Sequence, residues 1–310
     1  MKPLHIQTPL WKSIPLQRRI NKTIYLKMEC FQPTGSFKAR GISLLCQKLV
    51  ASGKTHLVSN SGGNAGYTAA YAGRVLGVKV SVFIPTTSSS IFIDRIKSQG
   101  AEVVIHGNDI DEAAVLAKEF LQEVNGGYVP PYDNSDIWLG HSTMMDEVNF
   151  QIDGKPDAIV VAVGGGGLAC GVLDWMYRWG WHDVPVYGVE TEGAASFAAT
   201  MKANKLVTLE KINTVATSLG VRTISSKLFE WTKKMPIYPI TVSDAEAVNA
   251  VRLFLDDHYV LVEPSCGAAL AAVYNPVPAL ADKKKIVVII CGGIGISFAL
   301  LNQYLAQVSR

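Results

Sequence analysis

Residues 158–179, AIVVAVGGGGLACGVLDWMYRW, decide how the chain is to be read. An uncharged, β-branched run stops at four consecutive glycines, and a helical pattern follows. Such a run, without polar alternation, fits a strand buried on both faces, as in a parallel sheet. One or two glycines suffice for a tight turn. Four leave a row of backbone N–H groups free to converge on an anion, and the helix start adds a potential that favours phosphate. No Gly-Lys-Ser/Thr follows, so the Walker pattern is excluded. The GxGxxG spacing and acidic residue of a dinucleotide site are also missing. A small phosphorylated cofactor remains.

The same rhythm runs outward in both directions. HLVS at 56–59 leads into SGGNAG at 61–66 and a helical pattern, VKVSVFIP at 78–85 follows, and AEVVIHG at 101–107 precedes another helix. Downstream, VPVYGVE at 184–190 and PITVSDAEAVNAVRLFLDDH at 239–258 repeat it, with Asp244 as the expected cap of the last helix. Alternation of this kind predicts α/β architecture, with open parallel sheets and helices on both faces. The units are too many for one small sheet, so we expect two domains. Residues 1–31 and 136–310 form the larger and 32–135 a smaller insert, with YVPPYDN at 128–134 crossing between them.

Composition narrows the field. The chain has 310 residues, 48% hydrophobic and 18% charged, with a net charge of +3. That is a globular balance with too little dispersed positive charge for nucleic acid. Five separated cysteines without CxxC spacing favour reduced thiols and a cytoplasmic setting. The N-terminal residues lack the apolar core of a signal peptide. The uncharged stretch from Ile286 to Leu301 is split by paired glycines, so it reads as strand, turn and helix rather than a membrane span.

PTGSFKARG at 33–41 places Lys38 where a helix begins. A cation is mildly unfavourable in a first helical turn, but an amine that must lose its proton gains from that position. SGGNAG adds a second nest of amides, with Ser61 also readable as a helix cap, and CGGIG at 291–295 is a third glycine turn. In an open α/β sheet ligands sit beyond the carboxyl ends of strands, so the three turns are expected to share a cleft. A lysine, a phosphate cradle and an anion nest together point to pyridoxal phosphate held as a Schiff base.

TPLW at 8–11, PTGSFKARG, SNSGGNAG at 59–66, GGGGL at 164–168, VEPSCGAALAAVY at 262–274 and CGG at 291–293 stand in the order seen in fold-type II pyridoxal-phosphate enzymes. The chain resembles that tryptophan synthase β-like family across nearly its whole length, and within it the L-serine/threonine dehydratases. The resemblance implies that Lys38 carries the cofactor and shuttles the α-proton, with Phe37 packed beside the ring. Asn64 would reach the phenolic oxygen, and Gly164, Gly165, Gly166, Gly167 and Leu168 would hold the phosphate. Ser61, Gly63, Asn64 and Ala65 would receive the substrate carboxylate, and Cys291 would face the pyridine nitrogen. Glu190, Ala194, Ser196, Leu219 and Val221 resemble the ligands of a monovalent cation such as K+. A homodimer and β-elimination of L-serine or L-threonine to pyruvate or 2-oxobutanoate and ammonia are also implied.

The chain departs from its relatives at several positions. Gly62 stands where serine racemases of this fold carry a serine, so little racemisation is expected. Ile294 and Gly295 replace a polar pair, and Ser218 replaces a smaller residue, which changes the surroundings of the cofactor ring. No regulatory domain is expected after the Cys291 strand. Sulfhydrylation, threonine synthesis and cyclopropane deamination share the fold, although a sulfhydrylase would usually present Ser or Thr where Cys291 stands. A weakly active relative that binds an amino acid or the cofactor is the second class of reading.

Overall fold

The computed structural model describes residues 2–108, 110–275 and 277–308. A six-stranded sheet has the order β1-β2-β10-β7-β8-β9. Its strands are β1 (Leu10–Lys12), β2 (Thr23–Lys27), β7 (Ala158–Ala162), β8 (Val186–Thr191), β9 (Ile237–Val242) and β10 (Lys285–Ile289). Only the β1–β2 pair is antiparallel. A second sheet, all parallel, has the order β5-β4-β3-β6, from β3 (His56–Ser59), β4 (Lys79–Ile84), β5 (Glu102–Ile105) and β6 (Gly126–Val129). Both sheets are therefore of the expected α/β kind.

Helices α1 (Ile14–Ile20), α2 (Lys38–Ala51), α3 (Asn64–Leu76), α4 (Ser90–Ser98), α5 (Ile110–Glu123) and α6 (Ser135–Gln151) occupy the first half of the chain. Helices α7 (Gly167–Arg178), α8 (Ser196–Ala203), α9 (Ser226–Trp231), α10 (Asp244–His258), α11 (Pro264–Tyr274) and α12 (Phe298–Val308) follow. Every residue of β7 is buried, as its unbroken apolar run requires. α11 is buried along its entire length, which explains its alanine-rich composition without an amphipathic pattern. The stretch from Ile286 to Leu301 resolves into β10, a turn and the start of α12. No helix among the described residues is long and apolar enough to cross a membrane.

Two capping expectations are corrected. Ser243, not Asp244, caps α10: its hydroxyl accepts from the Glu246 amide while the Glu246 carboxylate accepts from the Ser243 amide. Asp244 is the first helical residue, and its carboxylate instead accepts from the Thr214 hydroxyl and the Val215 amide. At α3 the capping position falls to Gly63, and the Ser61 hydroxyl accepts the Gly63 amide at 3.4 Å.

Each sheet has a point where strand order reverses. β3, β4 and β5 run one way while β6 returns to the other side of β3, and β7, β8 and β9 run one way while β10 returns beside β7. A crevice opens at such a switch point, outside the carboxyl ends of the strands. SGGNAG follows β3, the tetraglycine follows β7 and CGGIG follows β10, so all three turns stand at switch points.

Under the start of α2 lies a buried ion cluster. The Arg40 guanidinium donates to both Glu29 oxygens at 2.7 and 2.8 Å and to both Glu147 oxygens at 2.7 and 2.8 Å. Lys27 donates to Glu147, Gln151 and the Thr8 carbonyl. Burial alone would raise the Glu147 carboxyl, but Arg40 and Lys27 outweigh it and hold it below the usual range. The side chains of Glu29 and Arg40 are both 0% exposed. Glu29→Ala is expected to cost about 3–5 kcal/mol, because it strips a fully buried cation of one partner. Asp183→Ala, which breaks an exposed pair with Lys155, should cost below ~1 kcal/mol. Urea unfolding of the two variants checks this, and equal losses would contradict it.

Candidate active site

Lys38 is the first residue of α2, with Phe37 at the cap position and no acidic residue in the first turn. The loop before it is held from the far sheet. Phe37 N donates to Cys291 O at 3.1 Å, Gly293 N donates to Gly35 O at 2.9 Å, and Ser36 bridges to Gly292. The Lys38 ammonium is thus fixed between the two switch points, and it donates to the Pro131 carbonyl beyond β6. No carboxylate among the described residues pairs with it. Burial lowers its pKa from the usual 10.5 to about 8, against the opposing influence of Cys291 and Glu263.

The tetraglycine closes on the loop that carries Pro131. A Cβ on Gly165 would come within 2.4 Å of the Tyr132 ring, and one on Gly167 within 2.8 Å of the Tyr132 carbonyl. Gly166 has φ +91°, in the left-handed region that glycine favours, and its position caps α7 without a side chain. The start of α7 thus carries no side-chain cap, and the Tyr132 ring and Leu228 pack against its glycines. Leu168 is buried in the first turn. These are the features a phosphate cradle needs.

Asn64 begins α3 and is buried. Its Nδ2 donates to Glu263 Oε1 at 2.9 Å and lies 3.5 Å from Ser218 Oγ, while its Oδ1 accepts from Ile294 N at 3.2 Å. Gly295 N donates to Glu263 Oε2 at 3.3 Å. Backbone amides thus do the hydrogen bonding at the two positions where a polar pair is lacking. Ser61, Gly63, Asn64 and Ala65 together form the N-terminal turn of α3, beside this group. Gly62 does not leave a gap: Ser88 Oγ, from the loop after β4, lies 2.5 Å from where its Cβ would be.

Cys291 is buried at the end of β10. Hydrogen bonding with Cys266 is the first cause raising its pKa, and burial adds to it, so the thiol stays neutral. Phe37 packs on the fully buried His141 ring at 4.8 Å between centroids. Neither His141 nitrogen has a hydrogen-bond partner among the described residues, and burial, then Lys38, pushes the imidazole well below its usual pKa.

The proposed cation ligands lie apart from this cleft residue set, around the end of β8. Glu190 accepts the amides of Phe197 and Ala198 at 2.7 and 2.8 Å, and burial pushes its carboxyl up to about 7 despite those bonds. Ala194 and Ser196 belong to the same turn, and the Ser196 hydroxyl has no partner. Leu219 and Val221 follow on the neighbouring loop, where Leu219 backs onto Gly164. No group of three or more His, Cys, Asp or Glu among the described residues is placed to hold a metal ion.

Glu263 and His141 were not singled out by sequence. Glu263 stands inside a quoted motif, but nothing local ties it to Asn64. His141 sits mid-helix with no spacing signal at all.

The family model described as pyridoxal-phosphate dependent enzyme matches residues 1–292. An L-serine dehydratase/L-threonine deaminase of Bos taurus is 47% identical over 310 residues, covering 97% of this chain and 94% of that protein. Its Homo sapiens namesake is 43% identical, covering 99% of this chain and 96% of that one. Among solved structures, a fungal L-serine ammonia-lyase from Rhizomucor miehei matches with a TM-score of 0.93 at 39% identity, covering 99% of each chain. The uncapped helix start after four glycines, the half-buried amine with its depressed pKa and the neutral thiol all fit the cofactor that the family name carries. Gly165→Ala should weaken its retention by roughly tenfold or more, since the added methyl overpacks against Tyr132. Absorbance of dialysed protein tests this, and retention equal to wild type would sink the cradle assignment.

Proposed function

The chain belongs to the pyridoxal-phosphate dependent enzyme family, and from that premise we propose that it eliminates the β-hydroxyl of L-serine and L-threonine. The products are pyruvate or 2-oxobutanoate, with ammonia. The observation that carries this reading is the Lys38 amine: half-buried, without a carboxylate partner among the described residues, and held between the tetraglycine side and Cys291.

Bound pyridoxal phosphate supplies an electron-withdrawing ring in conjugation with the substrate nitrogen, which makes the α-proton removable and the β-substituent able to leave. Lys38 would be the residue that holds the cofactor, and its Nζ would take the α-proton. A depressed amine suits that work, because the base must be uncharged near neutral pH. The amides of Gly164, Gly165, Gly166, Gly167 and Leu168 hold the phosphate end, and Phe37 closes the site beside the ring. Asn64 donates toward the phenolic oxygen. The turn of Ser61, Gly63, Asn64 and Ala65 orients the substrate carboxylate at a helix N-terminus. Cys291, its thiol kept neutral by Cys266 and burial, would stand toward the pyridine nitrogen as a poor proton source.

Residues 32–135 act in this reading as a smaller unit set into the larger one, and the cleft between their sheets is the site. The four-stranded sheet, drawn wholly from 56–129, supports that division. A monovalent cation at Glu190, Ala194, Ser196, Leu219 and Val221 would brace the loop behind Gly164, and the partnerless Ser196 hydroxyl favours it.

The direct test is the visible spectrum of the cofactor-loaded protein before and after L-serine, with pyruvate assayed in the same cuvette. A band that shifts as pyruvate accumulates is expected. A shift without pyruvate would overturn the elimination reading, and Lys38→Ala should lose both band and product. L-Serine should yield no appreciable D-serine, and D-serine that disappears in Ser88→Ala would contradict this by naming its proton source. Cofactor capture by the apoprotein needs the uncharged amine. Its rate should therefore rise with pH until about 8 and then level, whereas a rise continuing toward 10.5 would show that burial does not depress Lys38.

A further inference from the structure

Glu263 occupies the capping position of α11, yet its carboxylate makes no capping bond. Its backbone carbonyl serves the helix, accepting from Cys266 and Gly267. The side chain turns instead into the cleft, with the residue only 5% exposed. There its oxygens accept from Asn64 Nδ2 at 2.9 Å and Gly295 N at 3.3 Å, and the Ser218 side chain bonds to the same carboxylate.

The chemistry of these partners leaves one orientation for Asn64. Burial raises the pKa of the Glu263 carboxyl, yet the oxygen that faces Asn64 accepts from its Nδ2, so this edge is the NH2 group. The Ile294 amide donates and cannot accept, so the edge that faces it must be the carbonyl oxygen, at 3.2 Å. Both contacts demand the same flip state. The second Nδ2 hydrogen is then left for the cleft, where Ser218 Oγ at 3.5 Å is too far for a strong bond. Asn64 presents a donor there, not an acceptor.

The turn after Cys291 closes on the same carboxylate. Gly293 has φ +121°, and a Cβ there would lie 1.9 Å from Glu263 Cδ. Arg95, from α4, donates to the Ile294 carbonyl and ties the outer side of this turn to the four-stranded sheet's helices. Glu263 therefore touches the helix behind one switch point and the turn behind the other.

We propose that Glu263 is a positioning residue of this site: its carboxylate fixes the Asn64 amide as a donor toward the cofactor and clamps the 293–295 turn against it. This rests on the reading of Asn64 as a cofactor contact. Glu263 needs no contact with substrate or cofactor; it acts through Asn64.

The test is a double-mutant cycle on cofactor affinity, read by absorbance titration of the apoprotein with pyridoxal phosphate. Asn64→Ala and Glu263→Gln should each weaken binding by about tenfold, the usual consequence of losing a hydrogen bond to a charged group. The double variant should be no weaker than Asn64→Ala alone, because both changes remove the same contact. The visible band of the loaded protein should move in the same direction in both single variants. Fold changes that multiply in the double variant would overturn the proposal, as would a Glu263→Gln protein that binds like wild type while Asn64→Ala does not. If instead Asn64→Ala binds like wild type, the reading of Asn64 is what has failed. Unfolding of each apoprotein is followed alongside. Should Glu263→Gln not fold, Glu263→Asp keeps both acceptors but withdraws them by one methylene, and it must show the same coupling to Asn64.

Discussion

The first turn of α2 holds two cations, Arg40 fully buried and Lys38 half-buried, and the structure treats them in opposite ways. Arg40 is given two carboxylates, Glu29 and Glu147, in paired hydrogen bonds, and so remains charged. Lys38, two residues earlier, is given a carbonyl. Burying an unpaired ion costs several kcal/mol even after relaxation, so the lysine meets that cost by giving up its proton more readily. The arrangement depends on both. Arg40 fastens the helix to Thr8, to Glu29 in the turn after β2 and to α6, and on that fixed base the chain can leave an amine with a carbonyl in place of a carboxylate. A helix start free to shift would let the amine reach solvent and return to its ordinary basicity.

The same turn is where the two sheets are stitched together. Gly35, Ser36 and Phe37 pair with the backbone of Cys291 to Gly293, so the residue before Lys38 and the thiol at the end of β10 belong to one short antiparallel bridge. Pro131 brings the end of β6 to the amine, and Tyr132 brings the same loop onto the tetraglycine. Each contact brings the backbone of one wall close to an atom of the other. That explains why the site is written so largely in glycine: at Gly165 and Gly293 a single methyl would collide with the opposite wall.

How much of this the sequence discloses follows from how local each feature is. The strand, tetraglycine and helix of 158–179 can be read directly, because hydrophobic period and glycine count are properties of neighbours in the chain. Lys38 at a helix start is local in the same sense. The ion cluster is not: Arg40 and Glu147 stand 107 residues apart, and neither lies in a pattern that names the other. Glu263 is a sharper case, since its motif is recognisable while its partners at 64 and 295 come from other elements. The caps show the limit at short range. Ser243 and Asp244 are both good capping residues, and Glu246 settles the choice by closing its box with Ser243, which leaves Asp244 free for Thr214.

The identity of the groups around the cleft also bears on which reaction suits it. On the proposed reading the ring nitrogen meets Cys291, whose proton is held by Cys266 and by burial, so that end of the cofactor receives no strong acid. The phenolic end meets Asn64 as a donor, oriented from behind by a carboxylate. Hydrogen-bond donation is thus concentrated at the phenolic and phosphate ends and withheld at the nitrogen. A site built in this way does little to prolong a carbanion spread into the ring, and it favours substrates whose β-substituent departs as the α-proton is taken. L-Serine and L-threonine carry such a substituent in their hydroxyl. Reactions that need the carbanion to wait for a second partner would be served better by an acid where the thiol stands.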